Sequence, residues 1–373
     1  MKYREAVLYE SSSTGGCYEY SKYLFRYYSE SGIFQRVSLV LPRGSGTPGA
    51  SDILFNDRRT GSSIFRRLYF LFRNLVNPFI LFFFLLFRKR SFVLLNDFEQ
   101  LTAYLWVPFF YLLKSRHAFA VFLHDPDREA YFSSRKLSIS TIGWIYRWSD
   151  LVLIHEPAPE KDYYKPKHKI IEVSHGIYEP TIPDRNFLGS LLKEKGESRY
   201  ISILGNIRKD KNYEWAIRAI GSLDGYKLLI AGSRANRSMD IDALKELAEE
   251  QGVRERITWR NSWLTEEELS AAISASDIIW LCYDSSYASQ SGILNLIAPY
   301  KKNIITTVGG HSLFRAVARF KLGETVEDQD TKSLIEAVRT LTPEGNIANW
   351  EGFLSEASWE AQVKKVCDAL KKF

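Results

Sequence analysis

The sequence predicts an α/β protein made of two Rossmann-like domains that face each other across a cleft. With 373 residues, the chain exceeds the size that one hydrophobic core usually supports, so two domains are expected. Short apolar runs alternate with longer helical patterns almost throughout, which is typical of parallel sheets with helical crossovers. The alternation starts afresh after a polar stretch that contains Pro183 and Gly196. We therefore expect a first domain at 1–185, a linker at 186–199 and a second domain at 200–355.

The strands of the first domain are predicted from short apolar runs. They span 6–9, 37–41, 92–95, 118–123, 151–155 and 169–173. The N-terminal run is interpreted as the first strand and not as a secretory signal, because Glu10 interrupts it early. A glycine turn and a helix at 18–31 follow, and 42–61 is predicted to be a loop because it is rich in Gly, Ser and Pro.

An aromatic segment at 68–87 is apolar enough to raise the question of a membrane span. It contains Arg73, and an arginine near the centre of a span costs about 2.5–3.5 kcal/mol, so no span is expected. If the segment is a helix, it has two different faces. The apolar face contains Leu68, Leu71, Phe72, Leu75 and Phe79, and the polar face contains Arg66, Arg73 and Asn77. Two interpretations remain open. Either 64–90 lies in the headgroup region of an anionic membrane, or the helix packs on its own sheet with its arginines in solvent.

The second domain repeats the same alternation. Its predicted strands span 200–204, 227–231, 257–259, 278–281 and 303–307, and its predicted helices span 212–223, 240–251, 265–276 and 290–300. The final segment, 350–373, is predicted to be a pair of helices.

Composition excludes several classes of protein. The 50 basic and 44 acidic side chains leave a charge of +6, which favours anionic partners in general and does not point to nucleic acid. The three cysteines, Cys17, Cys282 and Cys367, have no CxxC spacing, which favours reduced thiols in a cytoplasmic protein over a disulfide framework or a zinc site.

Two candidate sites follow strands of the first domain. Gly15 and Gly16 form a turn between the first strand and a helix, where the backbone and the helix N-terminus can approach an anion or a sugar hydroxyl. The GxGxxG spacing is missing, and a tight turn without a ligand remains an alternative. His124 follows the strand 118–123, at the edge of the sheet where ligands gather. It is a candidate for binding a substrate hydroxyl or stabilising charge, and a structural histidine is the alternative.

Two further candidates lie in the second domain. The strand 200–204 ends at Gly205, and the cations Arg208, Lys209 and Lys211 follow before a helix, an arrangement suited to a diphosphate. A solvated run of charge is the alternative. The polar loop 283–295 leads into an apolar helix, where Ser291 and Gly292 would offer backbone N–H groups as a second anion site.

Assembled, these residues resemble the GT-B glycosyltransferases of the large family 4, which are retaining enzymes that use nucleotide sugars. The resemblance covers nearly the whole chain. In the first domain, the resemblance is carried by the turn at Gly15 and Gly16 and by His124. In the second domain, it is carried by three segments: 205–211, which stands where the family has its Gly, Arg and Lys signature, the triplet Gln290, Ser291 and Gly292, and the glycine turn at 308–310.

The resemblance implies a role for each site. Arg208 and Lys211 would neutralise the donor diphosphate, His124 would face the transferred sugar, and no metal or other cofactor would be obligatory. Gly15 and Gly16 would border donor and acceptor. The other donor-binding residues would be Gly205, Asn206, Asp284, Gln290, Ser291, Gly292 and Asn295. The resemblance also implies that the C-terminal helix, 356–373, joins the first domain.

The sequence departs from the family at one important point. The usual pair of glutamates, separated by seven intervening residues, is missing. The position of the second glutamate falls on Leu296, or on Asn295 with a one-residue slip, and the position of the first falls near Ala288. The second glutamate normally holds the ribose of the nucleotide, so donor binding must differ here.

The sequence therefore predicts a hexosyl or related transferase. It would move a sugar from a nucleotide-diphosphate donor to a glycan or lipid-linked saccharide, in surface polysaccharide or glycoconjugate assembly, with retention. The protein is expected in the cytoplasm, or on the inner face of the cell membrane. The alternative is a catalytically silent GT-B protein that binds a nucleotide sugar or a partner as a scaffold.

Overall fold

The computed structural model describes residues 2–56, 62–129, 131–155, 157–234, 239–284, 291–341 and 348–372. The chain divides into two compact units. Unit 1 comprises Met1–Ser174 and Trp359–Phe373, and unit 2 comprises His175–Ser358.

Unit 1 contains a parallel sheet of seven strands. The strands are β1 (Glu5–Tyr9), β2 (Arg36–Pro42), β3 (Ser51–Leu54), β4 (Ser91–Leu95), β5 (Ala118–Leu123), β6 (Leu151–Ile154) and β7 (Ile170–Glu172). Their order is β3-β2-β1-β4-β5-β6-β7. Strands β4 and β5 are buried along their whole length, as expected for central strands covered on both faces.

Helices cover both faces of this sheet. They are α1 (Gly16–Glu30), α2 (Ser63–Leu86), α3 (Ala103–Tyr111) and α4 (Arg135–Trp148). One face carries a core to which α2, α3 and α4 contribute, with Trp106 of α3 packed edge-on against Trp148 of α4 at 5.4 Å. On the other face, Tyr20 and Tyr28 of α1 contact Phe122 and Phe92 of the sheet.

Unit 2 contains a parallel sheet of six strands. The strands are β8 (Arg199–Leu204), β9 (Tyr226–Ala231), β10 (Ile257–Arg260), β11 (Ile278–Leu281), β12 (Asn303–Thr307) and β13 (Gly323–Val326). Their order is β10-β9-β8-β11-β12-β13. Ile201 and Ile203 of β8 belong to one hydrophobic core and Tyr200 and Leu204 to another, so alternate side chains of one strand serve the two faces of the sheet.

Unit 2 also holds most of the remaining helices. They are α5 (Arg185–Lys195), α6 (Tyr213–Ile220), α7 (Ile241–Glu250), α8 (Glu266–Ala275), α9 (Gly292–Ile297), α10 (Ser312–Phe320), α11 (Thr331–Thr340) and α12 (Trp350–Glu356). Several begin at side-chain caps that the sequence encodes, most fully α8, where Thr265 and Glu268 form a capping box.

The last helix, α13 (Trp359–Leu370), packs against α1 of unit 1. Trp359 stacks on Tyr23 at 5.2 Å, and the side-chain amide of Gln362 donates a hydrogen bond to the Tyr20 hydroxyl at 2.6 Å.

The predicted α/β class is confirmed, and each predicted strand has a counterpart. Two edge strands, β3 and β13, are not predicted, because they are short, partly exposed and lack an apolar run. The segment 186–199, predicted to be a linker, is instead occupied largely by α5, which begins at a cap on Asp184 and packs against α8. That the two domains face each other across a cleft stays a prediction.

Candidate functional site

In unit 2 the strand order reverses between β8 and β11. In open α/β sheets, ligands bind outside the carboxyl ends of the strands at such a reversal, because the connections diverge there and leave a crevice. The residues that follow β8 and β11 are Gly205–Lys211 and 282–284, and both segments contain predicted site residues.

Gly205 lies where the end of β8 meets the first turn of α9. Its φ of +80° is favourable for glycine alone. A Cβ atom at this position would lie 2.9 Å from Cδ1 of Ile293 and 3.7 Å from Nζ of Lys211. The end of the strand, the start of α9 and the Lys211 ammonium are therefore neighbours in space.

Lys211 is a buried cation. Its Nζ donates a hydrogen bond to the carbonyl oxygen of Leu204 at 2.6 Å, and its own carbonyl oxygen accepts one from Trp280 Nε1 at 3.1 Å. Loss of hydration lowers the pKa of Lys211 to about 7, and the nearby Arg208 charge acts in the same direction. A lysine held in this way gains from an anion placed beside it, since the anion compensates for the missing water.

Arg208 is the more exposed of the two cations. Its guanidinium pairs with the carboxylate of Asp210 at 3.0 Å, and its side chain is 42% exposed. The backbone carbonyl of Asp210 also accepts a hydrogen bond from the backbone N–H of Asp284 at 2.9 Å. This bond ties the loop after β11 to the cationic loop after β8. Asn206, in contrast, lies exposed between the strand and the cations.

Ser291 and Gly292 begin the six-residue helix α9, as the sequence analysis predicts for this polar loop. Ser291 is buried, and its hydroxyl interacts with the Tyr283 hydroxyl at 3.2 Å instead of capping the helix. Among the described residues, a Cβ at Gly292 would meet nothing within 4 Å, so they leave space open beside its backbone. Gln290, another predicted donor-binding residue, falls outside the described residues.

Asn295 occupies one of the two positions where the family's second glutamate is expected. It is fully buried, and its side-chain amide donates to the Ser291 carbonyl at 3.4 Å. Within the part of the chain that the structure describes, its Oδ1 has no hydrogen-bond partner. An amide here can accept a hydrogen bond but carries no charge.

Unit 1 has its own strand-order reversal, between β1 and β4. Gly15, with φ +89°, precedes α1, and added Cβ atoms at Gly15 or Gly16 would meet no atom of the described segments within 4 Å. The turn after β1 is therefore open, and the N-terminus of a 15-residue helix follows it.

His124 is joined to this turn through Asn96. Its Nε2 lies 3.0 Å from Oδ1 of Asn96, whose side-chain amide donates to Glu10 Oε2 at 2.7 Å and to the Cys17 carbonyl at 2.9 Å. The imidazole stacks on Phe122 at 4.4 Å and is half-buried. The ends of β1, β4 and β5 are thus linked by one hydrogen-bond network.

Three acidic residues at this reversal are not predicted from the sequence: Glu10, Asp97 and Glu99. Burial and the charge of Asp97 raise the pKa of Glu10 to about 8. Burial also raises the pKa of Glu99 to about 8. The Tyr9 hydroxyl donates a hydrogen bond to the Glu99 carboxylate at 2.7 Å. Asp97 accepts from the Ser11 hydroxyl at 2.7 Å. Their position directly after predicted strands is the signal that could have identified them.

The predicted site residues thus form two groups. Unit 2 brings Gly205 close to Lys211 and to Ile293 in the first turn of α9, and it ties Asp284 to the cationic loop. Unit 1 links His124 to the turn that contains Gly15. Among the described residues, no group of three or more His, Cys, Asp or Glu side chains is placed to hold a metal ion.

Two parallel sheets, each with a strand-order reversal and helices on its faces, define the class of fold: it is that of the GT-B glycosyltransferases. HepE of Anabaena in complex with UDP and glucose matches at a TM-score of 0.72 with 12% identity, over 100% of both chains. A glycosyltransferase from Rickettsia africae matches at a TM-score of 0.68 with 14% identity. Sucrose-phosphate synthase from Thermosynechococcus elongatus matches at a TM-score of 0.66 with 14% identity. Both matches cover 99% of this chain and 98% of the other. No family model matches the chain, and no curated protein matches its sequence.

Proposed function

We propose that the protein is a glycosyltransferase that uses a nucleotide-diphosphate sugar, bound at the carboxyl edge of the unit 2 sheet. The observation that carries this proposal is the meeting of Gly205, the Lys211 ammonium and the first turn of α9 at the reversal between β8 and β11. HepE of Anabaena has been crystallised in complex with UDP and with UDP-glucose, which supports a similar donor here.

In this proposal the cations act on the leaving group. As the bond from the sugar to the diphosphate breaks, negative charge develops on the departing nucleotide. Arg208 and Lys211 stabilise that charge, and they do so more strongly where water is excluded. The open backbone at Gly292 offers N–H donors to the same phosphates. No metal or other cofactor is required for this chemistry.

Unit 1 would bind the acceptor. His124, oriented by Asn96, and the open turn at Gly15 and Gly16 offer hydrogen bonds to sugar hydroxyls. We propose a glycan or lipid-linked saccharide as the acceptor, a retaining reaction of the family 4 type, and a place in surface polysaccharide or glycoconjugate assembly. The protein would work in the cytoplasm, either free or on the inner face of the cell membrane.

A catalytically silent scaffold is the second candidate. It is favoured by one observation: an uncharged residue, Leu296 or, with a one-residue slip, Asn295, stands where the resembling family has a ribose-binding glutamate. A silent protein of this kind would bind a nucleotide sugar without releasing the nucleotide.

The test is a panel of UDP-, GDP- and ADP-sugars, with thermal protection and nucleotide release as readouts. We expect one donor class to protect the protein and to be slowly hydrolysed. Lys211→Met should weaken both effects about tenfold or more, whereas Lys245→Met, which replaces a lysine of α7 in the same unit, should change neither. Protection without nucleotide release, with any acceptor tried, would favour the scaffold. No protection by any donor would contradict the proposal.

A further inference from the structure

Helix α2 turns its central polar side chains towards the protein, together with Leu81, Phe82 and Leu85 near its C-terminal end, which belong to the hydrophobic core. Arg73 is only 7% exposed, and its guanidinium donates a hydrogen bond to the Ser11 carbonyl at 3.1 Å. Asn77 is fully buried and bonds the backbone of Phe55 twice, accepting from its N–H at 2.8 Å and donating to its carbonyl at 3.0 Å. This corrects the expectation that Arg73 faces solvent or lipid headgroups. The polar contacts fix how the helix is rotated.

The apolar face of α2 consequently points outwards. Leu68 is 61% exposed, and Leu71, Phe72 and Phe83 are exposed as well. Their spacing of three or four residues, with Leu75 and Phe79 between, places them along one side of a helix. Burying so much apolar surface would be favourable, at about 25 cal/mol per Å² removed from water.

Helix α3 extends this apolar face. Phe109 packs edge-on against Phe79 at 5.1 Å and against Phe82 at 6.2 Å, and the two helices lie side by side. Leu105 and Leu112 of α3 are exposed, the latter at 71%. We call the outward side chains of Leu68, Leu71, Phe72, Phe83, Leu105 and Leu112 the α2–α3 surface. A contiguous apolar area of this kind marks an interaction site in a folded protein.

The charged side chains of α2, of α3 and of the segments that directly follow them are all positive. Arg66 and Arg67 lie exposed in the first turn of α2, and Lys89 and Arg90 lie exposed just beyond its end. Neither 62–96 nor 103–116 contains an Asp or a Glu. The partner that complements this surface is therefore apolar and bordered by negative charge.

An anionic bilayer meets both requirements, and two other occupants do not. A second copy of the chain is disfavoured because both ends of α2 are basic. Whether the two α2 helices packed parallel or antiparallel, their basic ends would meet and repel each other. Helix α2 has the length and composition of a membrane span. As a span, however, it would have to release Asn77 and carry Arg73 into hydrocarbon, at a cost of about 2.5–3.5 kcal/mol for the arginine alone.

We propose that the α2–α3 surface docks in the plane of an anionic lipid bilayer, with its apolar side chains below the headgroups and its cations among them. This inference goes beyond the proposed function, since it requires no donor and no turnover. It accounts for an apolar helix face that is left uncovered and bordered by positive charge at both ends.

Vesicle flotation with the full chain tests the proposal, because lipid-bound protein floats whereas aggregates do not. We expect flotation with vesicles of phosphatidylcholine and phosphatidylglycerol, and little with phosphatidylcholine alone. Arg66→Gln with Arg67→Gln should weaken binding about fivefold for each cation removed, and added salt should act in the same direction.

Leu68→Gln with Leu71→Gln should weaken partitioning at least as strongly. The matched control is Ile182→Gln with Leu192→Gln, which replaces exposed aliphatic side chains of unit 2 and should leave flotation unchanged. All four side chains are exposed, so folding should persist, as circular dichroism would confirm. Equal flotation of wild type and the Leu68 and Leu71 variant would overturn the proposal. So would a dimer in sedimentation that this variant abolishes, since the surface would then bind a second copy.

Discussion

Lys211 is the residue on which the proposed donor site depends most. A buried ammonium without water is unstable, and a diphosphate beside it would restore the lost stabilisation. This argument ties donor binding to the protonation state of one side chain.

The first prediction concerns proton uptake on binding of UDP. The pKa of Lys211 in the free protein is about 7, so the side chain is largely neutral at higher pH and must take up a proton when the diphosphate binds. Phosphate groups, with a second pKa of about 6, are already ionised there. Affinity should fall as the pH rises above about 7, by up to about tenfold per pH unit. Calorimetry of UDP binding in buffers of different ionisation enthalpy should detect proton uptake in wild type and none in Lys211→Met. If the binding heat of wild type does not depend on the buffer, the lowered pKa of Lys211 is contradicted.

The second prediction concerns Glu10 and stability. Its pKa is raised from 4.5 to about 8 in the folded protein, so between these values the folded state binds more protons than the unfolded state. The stability that this group contributes is fully present below about pH 4.5 and is lost as the pH rises through about 8. The loss should be on the order of 5 kcal/mol.

Urea unfolding at about pH 5 and about pH 9 measures that loss. Glu10→Gln should remove its share of the pH dependence, and Glu30→Gln, an exposed carboxylate of α1, should not. An unchanged pH dependence in Glu10→Gln would show that Glu10 is ionised in the folded protein.

The predictability of these residues from sequence differs in an instructive way. Arg208 and Lys211 could be assigned because several cations follow a strand, which is a visible pattern. Glu10 and Asp97 are single carboxylates, and their importance comes from a shared buried position that only the sheet order creates. The hydrogen bond from Asn96 to Glu10 joins residues 86 positions apart, so no local pattern contains it.

At the scale of elements, the end of β8 is constrained by its close approach to α9. The third prediction is that Gly205→Ala destabilises unit 2 more than Gly225→Ala does. Both glycines have positive φ, +80° and +77°, but a Cβ at Gly225 meets nothing within 4 Å. Strain should cost about 1–2 kcal/mol at either site, and the contact with Ile293 should add about 1–3 kcal/mol at Gly205.

Denaturant unfolding measures the difference between these two variants. Ile293→Val removes the Cδ1 atom that the new Cβ would meet, so it should recover part of the loss in the Gly205→Ala background. Equal costs for the two glycine variants would mean that β8 and α9 do not approach as described.

The fourth prediction tests the rotation of α2. Asn77→Ala leaves the Phe55 backbone groups without their partner in a buried place, which should cost about 1–3 kcal/mol. Leu68→Ala, on the outward face, should cost less than about 0.5 kcal/mol. Thermal or urea unfolding compares them directly, and a larger cost for Leu68→Ala would show that the apolar face is packed inside.

Helix α2 also shows what periodicity can and cannot predict. The three- and four-residue spacing correctly separates an apolar face from a polar face. It does not say which face meets the protein, and the usual assumption fails here because Arg73 and Asn77 find backbone partners in Ser11 and Phe55. Strands were easier to predict, because central parallel strands are continuous apolar runs. The edge strands β3 and β13 have no such run.

For the molecule as a whole, the alternation of strands and helices was sufficient to predict two parallel sheets. The fold matches solved GT-B structures at identities near 12%, which shows that pattern, rather than particular residues, encodes it. The pattern of strands and helices does not show that α13, at the end of the chain, belongs to unit 1. That helix joins unit 1 through long-range contacts such as the one between Trp359 and Tyr23.

The most direct test of the central claim is a calorimetric titration of UDP, with GDP and ADP in parallel, into wild type, Lys211→Met and Lys245→Met. We predict saturable binding of one nucleotide by wild type and Lys245→Met, and binding about tenfold weaker or worse by Lys211→Met. If no nucleotide binds, or if Lys211→Met binds as wild type does, the carboxyl edge of β8 and β11 is not a donor site and the proposed function is wrong.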